Sequence, residues 1–340
     1  MKRIILIGAA CALFAGCAQT TATSTGEEAK AYLDLMLENF FPDAKVNENG
    51  VYILSDQPGN GLPWTDVLPY TCAVTTIKSL GGTITSTSDE ALAKQLGTYV
   101  QGNYYGPKYS LTGEGSSLAG VDAMLTGMKD GGTRTAIIPA WLLTTSRQEN
   151  TQAYLNACTS TTPLIYTIKL YGQCEDIVQE QIDSLRRYVT RHYGADVQPV
   201  RFPGSSEYEG QFYFISDTTA FKDVPQRSED ETALHLNYTG RLLNGQVFDT
   251  TVEKAAKDAG IYSASKTYEG QSVTFSETMG DIKMGSTSDL IKGFQAGLYK
   301  MHWAGQKAVV LFTSPLGYDT SGSGNKVPGY SPLLFELEIY

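Results

Sequence analysis

The sequence is poor in the residue types that most often carry enzyme chemistry. Its 340 residues include five cysteines, three histidines and three tryptophans. No histidine shares a motif with a nucleophilic serine or cysteine such as GxSxG, and no Cys/His spacing matches a zinc site. A hydrolytic triad and a metal centre are therefore disfavoured, and we expect neither a metal nor a cofactor.

Basic residues are also scarce, with 26 Lys and Arg against 36 Asp and Glu and a net charge of −10. Without a basic stripe, nucleic acid is not an expected partner. The glycine runs at 113–120 and 321–325 match no phosphate-binding motif and predict turns. The chain is 41% apolar, enough for sizeable cores. Its length predicts two domains, because single cores stop growing at about 250 residues.

The N-terminus has the pattern of an export signal. Two basic residues precede the apolar run 4–14, which is too short for a permanent bilayer-spanning helix. The run ends in Ala-Gly-Cys17, which resembles a bacterial lipoprotein cleavage box. The resemblance implies a signal over residues 1–17, a lipid on Cys17 and a place in the bacterial cell envelope. Ordinary secretion with cleavage near Ala15 is the alternative.

Residues 18–26 are rich in Thr and Ser and predict a flexible tether. This stretch has no acidic cluster close to the cysteine, which favours the periplasmic side over the cell surface. Beyond the signal only Cys72, Cys158 and Cys174 remain. Cys158 and Cys174 are the nearest pair in sequence and the favoured bridge, and free buried thiols are an equally weighted alternative, so the pairing stays open.

A long internal repeat is the most informative feature. Both halves of the chain contain a helix-period stripe, a strand, a Gly turn, a short helix and closing strands in one order. The matched segments include 93–99 with 256–262, 118–128 with 291–301, and 162–168 with 331–337. The repeat predicts an α+β fold of two tandem units, residues 27–172 and 173–340. Each unit is an antiparallel sheet packed on a short helix and preceded by an N-terminal helix.

The second unit resembles the FKBP-type peptidyl-prolyl isomerases. The resemblance spans about 110 residues, with a core at 232–340, and is carried by several segments in the family's order. These segments are Leu236–Gly240, Asn244–Thr250, Leu290–Phe294, Ser314–Tyr318, Val327–Pro328 and Pro332–Glu338. It implies a five- to six-stranded antiparallel sheet wrapped around a short helix at 289–298. Residues 252–270 lengthen the loop after the Phe-Asp pair and depart from most members.

The resemblance also implies which residues line a prolyl pocket. The positions that match catalytic residues of the family are Tyr238, Phe248, Asp249, Phe294 and Tyr318. The positions that match substrate-binding residues are Leu290, Ile291, Val327 and Phe335. Phe294 stands where most members have tryptophan, and Gly317 replaces a usual alanine. The family's arginine after Phe-Asp has no clear counterpart, and Lys266 is the nearest substitute.

The first unit lacks the aromatic residues at the matching positions. These positions hold Thr75, Thr85, Ser86, Val121 and Thr144. The turn and strand pattern is retained around Gly127–Gly131 and Ile137–Pro139. The sequence therefore predicts a degenerate unit that keeps the scaffold without the chemistry.

The resemblance implies an isomerase, through the second unit only, that helps exported proteins fold and is anchored in the envelope by a lipid. Its expected partners are proline-containing exported polypeptides and the membrane, and a homodimer is left open. The alternative is a non-catalytic FKBP-like lipoprotein that acts as a protein-binding module. A polysaccharide-capture lipoprotein is a third reading, which the three tryptophans disfavour.

Overall fold

A computed structural model describes residues 23–221, 234–287 and 289–340. The predicted signal, Cys17 and most of the predicted tether lie outside these residues. None of the helices in the described ranges has both the length and the apolar composition that crossing a bilayer requires.

The N-terminal half, residues 25–174, is built on a seven-stranded antiparallel sheet. Its strands are β1 (Lys45–Val46), β2 (Tyr52–Gln57), β3 (Tyr70–Ser79), β4 (Ile84–Thr87), β5 (Lys108–Leu111), β6 (Thr133–Ile138) and β7 (Leu164–Cys174). Its helices are α1 (Thr25–Phe40), α2 (Glu90–Gln95), α3 (Ala119–Leu125) and α4 (Thr151–Ala157). The strand order is β1-β2-β6-β7-β3-β4, and β5 also pairs with β3.

The C-terminal half, residues 175–340, is built on a second seven-stranded antiparallel sheet. Its strands are β8 (Phe212–Ile215), β9 (Leu234–Leu242), β10 (Val247–Thr250), β11 (Gln271–Thr274), β12 (Lys283–Met284), β13 (Lys307–Phe312) and β14 (Leu333–Ile339). Its helices are α5 (Ile177–Tyr193), α6 (Glu253–Asp258) and α7 (Lys292–Tyr299). The strand order is β12-β11-β9-β14-β13-β8, and β10 also pairs with β9. The central order β8-β13-β14-β9 matches β2-β6-β7-β3 of the other half.

Each half has its main core between its sheet and the short helix that precedes the closing strands. In the N-terminal half, Met124 and Leu125 of α3 are buried with Ile137 of β6. In the C-terminal half, Leu298 of α7 is buried with Val310 of β13. The alternation of side chains along each strand places its apolar residues on the helix-facing side.

The loop after the Phe-Asp pair has a counterpart in the N-terminal half. Residues 252–270 contain helix α6, and helix α2 occupies the same place after β4. Lys257 lies 4.9 Å from the ring centre of Tyr262, and Lys94 lies 4.8 Å from that of Tyr99. Lys257 and Tyr262 each lie 163 positions after their counterparts in the N-terminal half. The lengthened loop therefore belongs to the internal repeat.

Two element boundaries differ from those expected at the ends of the N-terminal half. Helix α1 begins at Thr25, inside the expected tether, because the Ser24 side chain accepts a hydrogen bond from the backbone N–H of Glu27. Strand β7 continues past Gly172 because its backbone pairing with β3 extends to Cys174, opposite Tyr70. The expected boundary at 172/173 therefore falls inside a strand.

Two details of the C-terminal half also differ from expectation. Its sheet has seven strands instead of five or six, because the short strand β12 and strand β8 both pair into it. Helix α7 begins at Lys292 instead of Asp289, because Ile291 is extended, with φ −60° and ψ 139°. Leu290 and Ile291 consequently lie on extended chain at the edge of the helix.

The bridge between Cys158 and Cys174 is not formed, because all three cysteines outside the N-terminal segment are free. The Cys158 thiol donates to the carbonyl oxygen of Ser160 at 3.0 Å. Burial raises the pKa of the Cys72 thiol to about 12 and that of the Cys174 thiol to about 11. The last two are therefore protonated at neutral pH and poor nucleophiles.

Candidate active site

Three phenylalanines from three elements form one aromatic cluster. The ring centres of Phe248 on β10 and Phe335 on β14 are 5.5 Å apart, and those of Phe294 on α7 and Phe335 are 5.0 Å apart. Both pairs meet edge to face, the arrangement that aromatic quadrupoles favour. Tyr238 lies 5.5 Å from Phe294, and Tyr318 lies 6.3 Å from Phe248. The five side chains together form a concentrated aromatic region.

The cluster depends on a glycine in the neighbouring strand. A Cβ on Gly240 would lie 2.6 Å from the ring of Phe248 and 2.8 Å from that of Phe335. Gly240 is opposite Phe335 in the pairing of β9 with β14. Real Cβ atoms do not approach other atoms so closely. Any residue larger than glycine at position 240 would therefore clash with both rings.

A polar network borders the aromatic rings. The Tyr238 hydroxyl donates to Asp249 Oδ2 at 2.7 Å, and Lys266 Nζ donates to Asp249 Oδ1 at 2.6 Å. The backbone N–H of Thr250 also donates to Oδ1, at 2.9 Å. Burial raises the pKa of Asp249, but the hydrogen bonds from Lys266 and Tyr238 outweigh it, and the pKa lies below its ordinary value. The carboxylate is therefore charged at neutral pH.

The two tyrosines keep their protons. Burial and the nearby Asp249 raise the pKa of Tyr238, whose hydroxyl is committed to that carboxylate. Burial, with the same carboxylate, also raises the pKa of Tyr318. Tyr318 follows a short 3₁₀ helix, Ser314–Leu316, and is half-buried. At neutral pH it is a neutral phenol, which is able to donate a hydrogen bond.

The remaining expected pocket residues lie in the same region. Val327 is buried in the core that contains the phenylalanine cluster, and Leu290 and Ile291 pack against that core while half-buried. The structure thus brings together all nine residues singled out in the sequence. The family resemblance assigned their chemical roles, which remain predictions.

A supporting residue was missed by the sequence interpretation. Gln181 of α5 is 3% exposed; its Oε1 accepts from the Ser314 backbone N–H at 2.6 Å and its Nε2 donates to Ser314 Oγ at 3.0 Å. Gln181 thereby holds the 3₁₀ turn that precedes Tyr318. The signal was present, because Gln181 interrupts the buried stripe of Ile177, Leu185 and Val189 at four-residue spacing.

The corresponding place in the N-terminal half holds an ionic network. Ser117, which lies just before α3, donates to Asp122 Oδ1 at 2.5 Å. Arg147 forms an ion pair with Asp122 and donates to the Ser117 carbonyl oxygen at 3.2 Å. Charged and hydroxyl groups therefore tie Ser117, which matches Leu290, to the loop that follows Thr144, which matches Tyr318.

The arrangement of the described side chains bears on whether a metal ion could bind. Among the residues described, no group of three or more His, Cys, Asp or Glu side chains is arranged to hold a metal ion. The Asp249 carboxylate beside the aromatic cluster is already shared by Tyr238 and Lys266.

Comparisons with known proteins point to one family. The family of FKBP-type peptidyl-prolyl cis-trans isomerases matches residues 224–340. FK506-binding protein 2 of Dictyostelium discoideum is 31% identical over 116 residues, 34% of this chain and 68% of that protein. Peptidyl-prolyl cis-trans isomerase FKBP2 of Mus musculus is 30% identical over 34% of this chain and 65% of that protein. FK506-binding protein 1A of Aspergillus fumigatus is 30% identical over 34% of this chain and 80% of that protein.

The matched residues include the aromatic cluster, the tyrosines and the Asp249 network. The resemblance inferred from the sequence of the C-terminal half is thereby confirmed at the level of the family. The chain belongs to the FKBP-type peptidyl-prolyl cis-trans isomerase family, through a domain at residues 224–340.

Proposed function

We propose that the C-terminal half catalyses cis–trans isomerisation of X-Pro bonds. The observation that carries the proposal is the aromatic cluster of Phe248, Phe294 and Phe335, bordered by the protonated phenol of Tyr318. Family membership supports the same activity.

The physical basis is differential binding of a twisted amide. Rotation about an X-Pro bond is opposed by amide resonance, with a barrier of about 18–20 kcal/mol. The planar amide carries separated charge on nitrogen and oxygen, and an apolar, ring-lined surface solvates that charge poorly. A proline ring held against Phe248, Phe294 and Phe335 therefore favours the twisted state, in which the resonance is lost. No covalent bond is made or broken.

The polar groups have two separate roles in this proposal. Tyr318 donates a hydrogen bond to the substrate and fixes its orientation. Asp249 and Tyr238 hold each other through the 2.7 Å hydrogen bond, which keeps the Tyr238 ring against Phe294. Lys266 takes the part of the missing arginine by neutralising Asp249.

We further propose that the chain consists of two tandem FKBP-like units and that only the second is catalytic. The matching order of the central strands in the two sheets supports the duplication. Thr85 and Val121, at the positions that match Phe248 and Phe294, support the loss of chemistry in the first unit, because they remove the aromatic surface that a prolyl ring needs.

The proposal extends to location and clients. The lipobox-like end of the signal supports a lipid anchor at Cys17 in the bacterial cell envelope and exported, proline-containing polypeptides as substrates. Labelling with a radioactive fatty acid tests the anchor. We expect label on the full chain and none on Cys17→Ala, and equal labelling of both would contradict the anchor.

An isomerisation assay on the full chain tests the activity. We expect wild type to accelerate cis–trans exchange of a short Xaa-Pro peptide, and Phe248→Ala and Tyr318→Ala each to lower kcat/KM by roughly tenfold or more. Thr85→Ala, at the position in the first unit that matches Phe248, is the control and should keep wild-type activity.

A thermal melt of each variant separates loss of the pocket from loss of the fold. A wild-type rate equal to the uncatalysed rate would contradict the isomerase proposal. It would favour the alternative function, a non-catalytic protein-binding module. Loss of activity in Thr85→Ala with a normal melt would contradict the assignment of the chemistry to the second unit.

A further inference from the structure

A loop of the N-terminal half contacts two segments around the aromatic cluster. We call residues 99–105 the bridging loop. The backbone N–H of Tyr104 donates to the carbonyl oxygen of Asn325 at 2.7 Å. Gln101 Nε2 donates to the carbonyl oxygen of Ala259, at the end of α6, at 3.0 Å. The bridging loop therefore links the lengthened loop after Asp249 to the segment that follows Tyr318.

The contacts of the bridging loop are close on both sides. Gln246 Nε2 donates to the Gly102 carbonyl oxygen at 3.1 Å. A Cβ on Gly102 would lie 2.9 Å from the side chain of Ile261. Glycine at this position thus permits the close approach of the two halves.

The segment that receives Tyr104 carries two pocket residues. We call residues 317–330 the pocket loop, because it contains Tyr318 and Val327. Inside it, the Tyr330 N–H donates to the Asp319 carbonyl oxygen at 2.8 Å. Asp319 and Tyr330 both have positive φ, 48° and 61°, which is unfavourable for residues other than glycine. Such a conformation persists only when surrounding contacts determine it.

One of those surrounding contacts comes from the N-terminal half. The ring of Tyr70, at the start of β3, meets the ring of Tyr330 edge to face with centres 5.4 Å apart. The N-terminal half therefore contacts the pocket loop at two points. Tyr104 binds Asn325 near the tip of the loop, and Tyr70 contacts Tyr330 at its end.

These contacts lie beside a cleft between the two halves, and the side chain of Tyr104 also packs against the C-terminal core. The cleft, of about 650 Å³, lies between the bridging loop and the turn that joins β9 to β10. It is lined by residues of both halves, including Tyr99, Asn103, Asn244 and Lys254. The coupling beside this cleft depends on the contacts of the bridging loop and of Tyr70.

We propose that the N-terminal half is a positioning module for the pocket loop. Tyr70 and the bridging loop hold the strained loop in the conformation that presents Tyr318 and Val327 to the aromatic cluster. Neither Tyr70 nor Tyr104 is a catalytic residue here. The consequence for turnover rests on the proposed isomerase function, whereas the coupling between the halves does not.

Amide hydrogen exchange on the full chain tests the coupling, with peptides that cover 317–330 as the readout. We expect Tyr70→Ala to speed exchange of these peptides roughly three- to tenfold, the range expected for loss of one edge-to-face ring pair. The control is Tyr32→Ala, an exposed tyrosine of α1, which should stay within about twofold of wild type. Unchanged exchange in Tyr70→Ala would overturn the proposal.

A second pair of variants acts on the bridging loop without removing a ring. Gly102→Val forces the loop away from Ile261 and should speed exchange of the same peptides. Gly82→Val is the control, because Gly82 has φ 88°, close to the 86° of Gly102, and no atom within 4 Å of its Cβ position. Equal exchange in the two valine variants would contradict the proposal. Peptides that cover β6 report whether the N-terminal half has itself unfolded.

The exchange result and the isomerase result are independent. If wild type does not isomerise proline but Tyr70→Ala loosens the pocket loop, the coupling stands and the enzyme function fails. If wild type is active and exchange is unchanged in both Tyr70→Ala and Gly102→Val, the coupling fails and the function stands. With both valid, Tyr70→Ala raises KM more than it lowers kcat, since the loop contributes to binding.

Discussion

At the scale of single residues, Gly240 has no room for a side chain beside the aromatic cluster. Gly240→Ala should destabilise the protein by about 1–3 kcal/mol, the usual cost of forcing a methyl group into a packed core. The reason is the approach of the new Cβ to the rings of Phe248 and Phe335, at 2.6 and 2.8 Å. The measurement is the free energy of unfolding in urea.

Gly280→Ala is the control for this substitution. No atom lies within 4 Å of a Cβ at Gly280, which belongs to the same half. We expect its unfolding free energy to stay close to that of wild type. Equal stability of the two alanine variants would show that the rings have more freedom than the structure gives them.

The hydrogen bond from Lys266 lowers the pKa of Asp249. The pKa of Asp249 in the folded state lies below its ordinary value, about 3.9 in unfolded chains. Its contribution to stability is therefore present above that value and is lost as pH falls through the folded pKa. Lys266→Gln removes the largest favourable partner, so the pKa of Asp249 should rise towards its ordinary value and its contribution to stability should shrink.

Carboxyl ¹³C NMR of the Asp249 side chain measures that change. Lys254→Gln is the matched control, because Lys254 lies in the same lengthened loop and pairs with Asp258 instead. The Lys266–Asp249 pair is partly exposed, so added salt should reduce the difference. An Asp249 titration that is the same in both variants would contradict the role given to Lys266.

The residue-level content of the site was largely predictable, and its limits have physical causes. The nine residues assigned to the prolyl pocket were selected from motif order, where Phe248-Asp249 and Leu290-Ile291 are contiguous, and the structure places them in one region while their roles stay predictions. The pairing of Lys266 with Asp249 was only a guess, because the two residues are 17 apart across a lengthened loop. The contacts of Lys266 with the Tyr268 ring and with Asp249 depend on how that loop folds back.

At the scale of elements, helix α5 supports the pocket from outside the matched domain. Gln181→Leu should lower the unfolding free energy by about 1–3 kcal/mol, because it leaves the buried Ser314 N–H and hydroxyl without their partner. It should also reduce isomerase activity, since the 3₁₀ turn before Tyr318 loses its anchor.

Gln179→Leu on the same helix is the control for this prediction. Its side chain makes an exposed hydrogen bond to Asp183 at 3.3 Å. Urea unfolding and the peptide assay together measure both variants. A loss in Gln179→Leu as large as that in Gln181→Leu would mean that helix propensity, and not the bond to Ser314, is responsible.

Helices and strands were predictable as types, whereas their ends were less so. The apolar stripe of α5 and the alternation along β14 carry their periods in the sequence. The start of α1 depended on a capping bond from Ser24, and the start of α7 on the extended backbone of Ile291. Such local hydrogen bonds and dihedral angles leave weak sequence signals.

At the scale of the whole molecule, the internal repeat predicted the similarity of the two halves. Both halves place their four central strands in corresponding order, and the lengthened loop occurs in each. The contacts between the halves were not predictable, because Tyr104–Asn325 and Tyr70–Tyr330 join residues more than 200 positions apart. Hydrophobic period and motif spacing contain no information about such pairs.

The most direct test of the central claim is two-dimensional NMR exchange spectroscopy of a short Xaa-Pro peptide with the full chain. Without enzyme, the cis and trans peaks do not exchange on the timescale of the experiment, because isomerisation takes tens of seconds or longer. We predict exchange cross-peaks with catalytic amounts of wild type and none with Phe248→Ala at the same concentration. Absence of cross-peaks with folded wild type would contradict the claim that the aromatic cluster of the C-terminal half isomerises prolyl bonds.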